Sequence, residues 1–395
     1  MGQDKNNDLL GIYLHIPFCQ TKCNYCDFNT YSGIENQFEN ISLSLQNELI
    51  YWSERLESPK IHSIFLGGGT PSYLPENLKE RIFNTIYKYF NLSECNEITM
   101  ETNPDDVSEQ KINNWKDFGI NRISLGVQTF NDKLLKSIGR RHDSLQAKKS
   151  IEIIRKYFDN FNIDLMFGLP DQTINDWEQS LNFSINSGAT HLSLYGLQLE
   201  EGTPLNSEVK KGYKTVPNDD LTAEMYSKAC KNLNLTKYDQ YEISNWSLKN
   251  YQCKHNLIYW KNHEYIGCGP GASSYINGYR FKNIKSPVIY SKKFNKQMKA
   301  PNNLDIKNSE GAIFEIEKQT VTIKALETIM LGLRLNTGIS DKFFSKKVGK
   351  SMYQLYNEQI KKLSNLGLIK EKENTIKLTH KGKLLANEVI SHFII

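Results

Sequence analysis

The chain has 395 residues, 39% of them hydrophobic and 24% charged, with a formal net charge of +5. This length and composition suit one large globular domain plus a smaller one, and exclude a disordered or fibrous chain. The basic residues lie scattered among acids, so the charge does not point to nucleic acid as a partner.

Six short runs rich in Ile, Leu, Phe, Tyr or Val, at 11–17, 62–68, 97–103, 122–128, 162–168 and 191–198, read as strands. Amphipathic stretches at 38–56, 75–90, 108–118 and 173–187 read as helices between them; in the first, Ile41, Leu45, Leu49 and Trp52 recur at helical spacing. Strands alternating with helices predict an α/β fold, a parallel sheet of right-handed crossovers that curls into a partial (β/α)6 barrel. Beyond Leu205 the pattern loosens into a helix at 219–233, an aromatic stretch ending at Trp260, and the segment Gly267-Cys268-Gly269-Pro270-Gly271-Ala272. Residues 1–285 are expected to form the barrel and its extension, 286–316 a linker, and 317–395 a small C-terminal domain with a winged-helix-like pattern. Lysines tint that domain, including Lys361, Lys362, Lys370, Lys372, Lys377, Lys381 and Lys383. Glu371, Glu373 and Glu388 interrupt them, so DNA binding is the weaker reading and no nucleic-acid partner is expected.

Seven cysteines, an odd number with one tight cluster, argue against a disulfide framework. The N-terminus is polar, without a hydrophobic signal core, and no apolar run approaches membrane-spanning length. A cytoplasmic location without a membrane anchor is therefore expected.

The functional groups cluster where the strands end, as they do in barrel enzymes. Cys19, Cys23 and Cys26 follow the first strand with Cys-x3-Cys-x2-Cys spacing, Gly67-Gly68-Gly69-Thr70-Pro71 ends the second, and Glu101 and Gln128 end the third and fourth. Asp164 lies in the fifth. Three thiolates on one loop suit three irons of a cubane cluster, with one iron left open to a small molecule, since the usual protein set is four cysteines. A zinc site is the rival, but zinc sites are normally closed by a second Cys or His pair, and no second Cys pair is present.

These residues, with Tyr13-Leu-His-Ile-Pro-Phe-Cys19, Phe65-Leu-Gly-Gly-Gly-Thr-Pro71, Glu101-Thr-Asn-Pro104, Ile123-Ser-Leu-Gly-Val-Gln-Thr-Phe130, Asp164-Leu-Met-Phe-Gly-Leu-Pro170 and His255-Asn-Leu-Ile-Tyr-Trp260, resemble the radical S-adenosylmethionine (SAM) superfamily. Within it the chain resembles the oxygen-independent coproporphyrinogen III oxidase-like family. The resemblance implies a [4Fe-4S] cluster on Cys19, Cys23 and Cys26, and SAM held by Tyr13, Gly68, Gly69, Thr70, Glu101, Gln128, Arg140 and Asp164. It also implies an electron donor for the cluster. Two activities are open: radical decarboxylation of porphyrinogen propionates, or heme binding and delivery to an acceptor protein. Oxidases of the family carry a further cysteine where this chain has Phe28, and a long segment before the cluster. The HNxxYW motif at His255, Tyr259 and Trp260 matches the heme-chaperone (HemW-type) branch. Those three residues are expected heme contacts: a neutral imidazole can ligate heme iron and the aromatics can stack on the macrocycle, while the axial ligand itself stays open.

Overall fold

The computed structural model describes residues 9–296, 298–300, 306–307 and 310–394. Six parallel strands, β1 (Gly11–Ile16), β2 (Ser63–Gly68), β3 (Glu97–Thr102), β4 (Arg122–Gln128), β5 (Phe161–Phe167) and β6 (His191–Gly196), pair in sequence order. Helices α1 (Phe38–Arg55), α2 (Glu76–Tyr89), α3 (Glu109–Asp117), α4 (Asp132–Ser137), α5 (Ser144–Tyr157) and α6 (Ile174–Asn186) fill the crossovers. Side-chain caps start several of them: Ser108 accepts from Lys111 N, Asp143 from Gln146 N, and Thr173 forms a capping box with Asp176. The pair α4 and α5 was not among the predicted helices; Gly139-Arg140-Arg141-His142 lies in the turn between them.

The period-two alternation of each strand makes the barrel. Ile12, Leu14 and Ile16 of β1, Ile98 and Met100 of β3, Ile123, Leu125 and Val127 of β4, and Ile163 and Leu165 of β5 belong to one apolar core shared with the helices. The intervening residues, among them Tyr13, Glu101, Ser124, Asn162, Asp164 and Ser193, face a common lumen.

The sheet extends beyond six strands. After α7 (Pro204–Lys210) and α8 (Asp219–Leu233), the hairpin β7 (Asp239–Glu242) and β8 (Asn245–Ser247) adds antiparallel to β6. Helix α9 (Lys254–Trp260) precedes β9 (Tyr265–Cys268), which pairs parallel to β1. Strands β10 (Ser273–Ile276) and β11 (Tyr279–Asn283), then helix α10 (Pro287–Phe294) and strand β12 (Ile313–Lys318), complete a twelve-stranded sheet. The expected linker at 286–316 thus contains α10 and the start of a sheet strand; its positions 297, 301–305, 308 and 309 lie outside the described residues. Pro287, Tyr290, Ser291 and Phe294 of α10 are buried, and Asn47 of α1 donates to Phe294 O at 2.6 Å. The buried Glu48 carboxylate joins α1 to this region by accepting from Gly269 N (2.7 Å), Asn283 Nδ2 (2.7 Å) and Tyr290 OH (2.6 Å).

Helix α9 closes the barrel at the N-terminal ends of its strands. Glu97, the first residue of β3, accepts from Lys254 N (2.9 Å), His255 N (3.0 Å) and the Cys253 thiol (3.4 Å). Ser63, the first residue of β2, meets His255 Nδ1 at 2.8 Å. The C-terminal unit packs its own core and a three-stranded sheet, and docks on this same end. Arg280 pairs with Glu327 (2.6 Å), Asn262 donates to Thr328 Oγ1 (3.1 Å), and Arg334 lies 4.5 Å over the Trp260 ring. Among the described residues no helix is long and apolar enough to cross a membrane.

Removing the acceptor for the first turn of α9 leaves buried N–H groups without a partner. Glu97→Ala is expected to cost on the order of 3 kcal/mol, read as a lower urea midpoint. An unchanged midpoint contradicts the capping role.

Candidate functional site

A cavity of about 590 Å³ runs down the lumen from the loop after β1 to α9. Of the residues singled out in the sequence, Cys19, Cys23, Cys26, Tyr13, Gly68, Gly69, Thr70, Glu101, Gln128, Arg140, Asp164, His255 and Tyr259 line it. Trp260 does not.

Backbone bonds hold the cysteine loop against the end of β2. Cys19 N donates to Tyr31 O (2.9 Å), Gly69 N to Ile16 O (2.7 Å) and Thr70 N to Phe18 O (2.7 Å). A Cβ on Gly69 stands 2.5 Å from Phe18 O and 2.8 Å from Ile16 O, so only glycine permits this approach. Each thiol has its own polar neighbour: Thr70 Oγ1 at 3.6 Å from Cys19 Sγ, Arg140 Nη1 at 3.6 Å from Cys23 Sγ, and Thr30 Oγ1 at 3.9 Å from Cys26 Sγ. Burial pushes the Cys19 and Cys26 thiols up, opposed by these hydroxyl contacts. Among the described residues no three His, Cys, Asp or Glu converge as ligands of a single ion. Cys19, Cys23 and Cys26 would hold a cubane through one thiolate per iron, which does not require them to converge on one ion. Hydrogen bonds to the sulfurs are one of the ways a protein tunes such a cluster.

Below the cysteines the lumen is polar. Glu101 Oε2 accepts from Gly68 N at 3.2 Å, and Asp164 accepts from Asn162 Nδ2 (2.6 Å) and Ser124 Oγ (3.3 Å). Burial, then the charge of Asp164, pushes the Glu101 carboxyl up to about 8. Burial likewise raises Asp164. Tyr13 OH meets His15 Nδ1 at 3.0 Å, while His15 Nε2 donates to Asn29 O at 3.0 Å. Gln128 ends β4 at φ +70°, a left-handed conformation that costs a non-glycine residue energy, beside a register shift between β4 and β5. Arg140 donates to Asn103 Oδ1 (2.7 Å) and Gly126 O (2.5 Å); its buried Nε has no partner.

The floor is His255 and Tyr259. His255 is fully buried, with Nδ1 on Ser63 and Nε2 on Tyr259 OH at 2.8 Å, and its ring stacks on Phe65 at 5.3 Å between centroids. Burial, with Arg122 adding to it, brings its pKa down to about 3, so the imidazole is neutral. Both ring nitrogens are engaged within the protein. Trp260 is five residues on, about 140° round the helix from His255. It lies under Arg334 with its indole Nε1 buried and unpaired.

Sequence reasoning missed Ser124, Asn162, Ser193 and Tyr195, which also line the cavity. They occupy the same alternating register as Gln128 and Asp164, so strand periodicity carried the signal. Thr30 is placed by a loop and carried none, whereas Asn103 lies within the Glu101-Thr-Asn-Pro104 motif.

Two outcomes follow from this geometry. Gly69→Ala forces the β2 end off the cysteine loop and is expected to cost on the order of 2 kcal/mol, measured as a lower melting temperature. An unfolded glutamate titrates near 4.5, whereas folded Glu101 holds its proton up to about 8. Its stability contribution is therefore full below 4.5 and is lost as pH rises through that window. Glu101→Gln removes this loss, so unfolding free energies of variant and wild type from urea titrations diverge between pH 4.5 and 8, by a few kcal/mol at most. Parallel pH profiles contradict a buried, protonated Glu101.

Comparison with known proteins identifies the family. Residues 13–184 match the family model of the radical SAM superfamily, and residues 321–385 match the HemN C-terminal domain. The chain is 37% identical over 385 residues to the heme chaperone HemW of Bacillus subtilis, covering 97% of this chain and 98% of that protein. It is 36% identical over 384 residues to the heme chaperone HemW of Lactococcus lactis, covering 97% of each. In fold it resembles coproporphyrinogen III oxidase (HemN) from Escherichia coli, with a TM-score of 0.81 at 20% identity over 98% of this chain and 90% of that one. The chain belongs to the radical SAM superfamily, in the family that contains HemN and HemW.

Proposed function

We propose that this protein is a heme chaperone built on a radical SAM barrel. It holds a [4Fe-4S] cluster on Cys19, Cys23 and Cys26, binds SAM beneath it, takes heme into the same cavity and delivers it to an acceptor protein. The observation that carries the reading is Phe28. It lines the cavity two residues after Cys26 and is 64% exposed, where the related oxidases are expected to have a cysteine. Near-full-length similarity to proteins named heme chaperones supports the same choice. We read the C-terminal unit as winged-helix-like, and as a buttress of the barrel floor.

The residues suit the cofactors. Three thiols with three polar neighbours offer soft ligands for iron. Glycine backbone at 68–69 lets a ligand lie close to the end of β2. Glu101 Oε2 accepts from Gly68 N and burial raises the carboxyl; an ammonium group placed beside it favours the carboxylate, whose proton goes to solvent. Asp164, Asn162 and Ser124 form a fixed polar set suited to hydroxyl groups, and the unpaired Nε of Arg140 suits a carboxylate. When bound, the reduced cluster and SAM supply one-electron cleavage of a carbon–sulfur bond. In this reading His255 and Tyr259 shape and seal the floor beneath the heme. An axial bond from His255 needs Nε2 to leave Tyr259.

The test is anaerobic titration of the cluster-loaded protein with hemin, then incubation with coproporphyrinogen III and SAM. The expected result is a saturable Soret shift and no decarboxylated product. Turnover to protoporphyrinogen without stable heme binding identifies an oxidase instead. His255→Ala distinguishes the floor from a ligand: a floor role predicts lower stability with the Soret maximum retained, an axial role a displaced maximum.

A further inference from the structure

A second hollow, about 500 Å³, lies beside the cysteine loop and shares part of its lining with the main cavity, Tyr13, Lys22, Asp27, Phe28 and Glu101 among them. Its outer wall carries Lys282 and Lys285. Among the described residues neither ammonium group has a hydrogen-bond or ion-pair partner. Lys22 also lines it, but is tied back to Phe28 O (3.1 Å) and Thr30 O (3.2 Å). The acids present are Asp27 and Glu101, against Lys22, Lys282 and Lys285, so cationic charge prevails.

The lysine pair is mounted on a rigid base. Asn283 between them is buried, donating to Glu48 Oε1 (2.7 Å) and Gly269 O (3.0 Å). The cysteine loop grips the same segment: Asn29 Nδ2 donates to Lys285 O (2.9 Å) and Pro270 O (2.9 Å), and Tyr31 OH to Lys285 O (3.2 Å). Gly271 lies at φ +77°, and a Cβ there stands 2.6 Å from Asn29 Nδ2, so the loop and the lysine segment meet closely. The backbone that carries the two cations is therefore held beside an exposed aromatic, Phe28, and a second ring, Tyr31.

We infer that Lys282 and Lys285 receive the two propionate carboxylates of heme, with the macrocycle edge reaching past Phe28 into the main cavity. This rests on the heme-chaperone reading and names the part of the site that recognises the ligand's acidic edge. Lysine suits the task as a flexible point charge that attracts a carboxylate and releases it without bidentate locking. A carrier needs such a grip, because transfer requires the ligand to leave. The attraction is partly solvent-screened, so it weakens as salt is raised.

The test compares hemin with hemin dimethyl ester, which lacks the free carboxylates, by Soret titration on the cluster-loaded full chain. Wild type is expected to bind hemin roughly three- to thirtyfold tighter than the ester. In the Lys282→Glu/Lys285→Glu double variant that preference should collapse towards one, with far-UV circular dichroism as the folding control. The ester comparison on wild type stands even if the variant does not fold. No preference in wild type, or an unchanged preference in a folded variant, overturns the lysine assignment alone. Absence of any saturable Soret change with wild type removes the heme reading, and this inference with it.

Discussion

A buried carboxylate at the bottom of the barrel underlies the rest of the molecule. Glu97 satisfies the first turn of α9 with two backbone bonds and the Cys253 thiol. A polar lumen left open at that end would flood, and its hydrogen bonds would compete with water. Capped by Glu97, α9 presents His255 and Tyr259 as a dry floor, and its outer side receives the C-terminal unit through Trp260 and Arg334. One interaction thereby links the lumen to the docking of the second core.

The site is layered along the barrel axis. Thiols and an exposed aromatic stand at the mouth, carboxylates and amides in the middle, and a neutral, fully bonded imidazole at the base. Low dielectric surroundings make each layer selective. A carboxyl held protonated by burial ionises only when a cation is placed beside it, and the Arg140 Nε is buried without a partner. The short strands supply the polar side chains of the lumen from alternate positions and bring the loops together at one end.

Much of this could be read from the sequence, because it rests on short-range periodicity. Alternation in β3, β4 and β5 separates Ile98, Met100, Ile123 and Leu125 from Glu101, Ser124 and Asp164, and Cys-x3-Cys-x2-Cys is a local pattern. What escaped depends on distant partners. Strand β9 is four residues with a glycine and a cysteine, and becomes a strand only by pairing with β1. Helix α10 hides in a polar stretch because only Pro287, Tyr290, Ser291 and Phe294 face the core. The HNxxYW motif reads as one unit, yet helical geometry sends Tyr259 to the cavity side with His255 and Trp260 away from it. The hydrogen-bond partners of His255, Ser63 and Tyr259, are 192 and 4 residues away; only the second was within reach of local reading.

The most direct test of the account is iron and absorbance after anaerobic reconstitution of wild type and of Cys19→Ser, Cys23→Ser and Cys26→Ser separately. About four irons per wild-type chain are expected, with the broad visible absorbance of a [4Fe-4S] cluster. Each serine variant should lose most of that iron and absorbance. A single variant that retains a full cluster contradicts it.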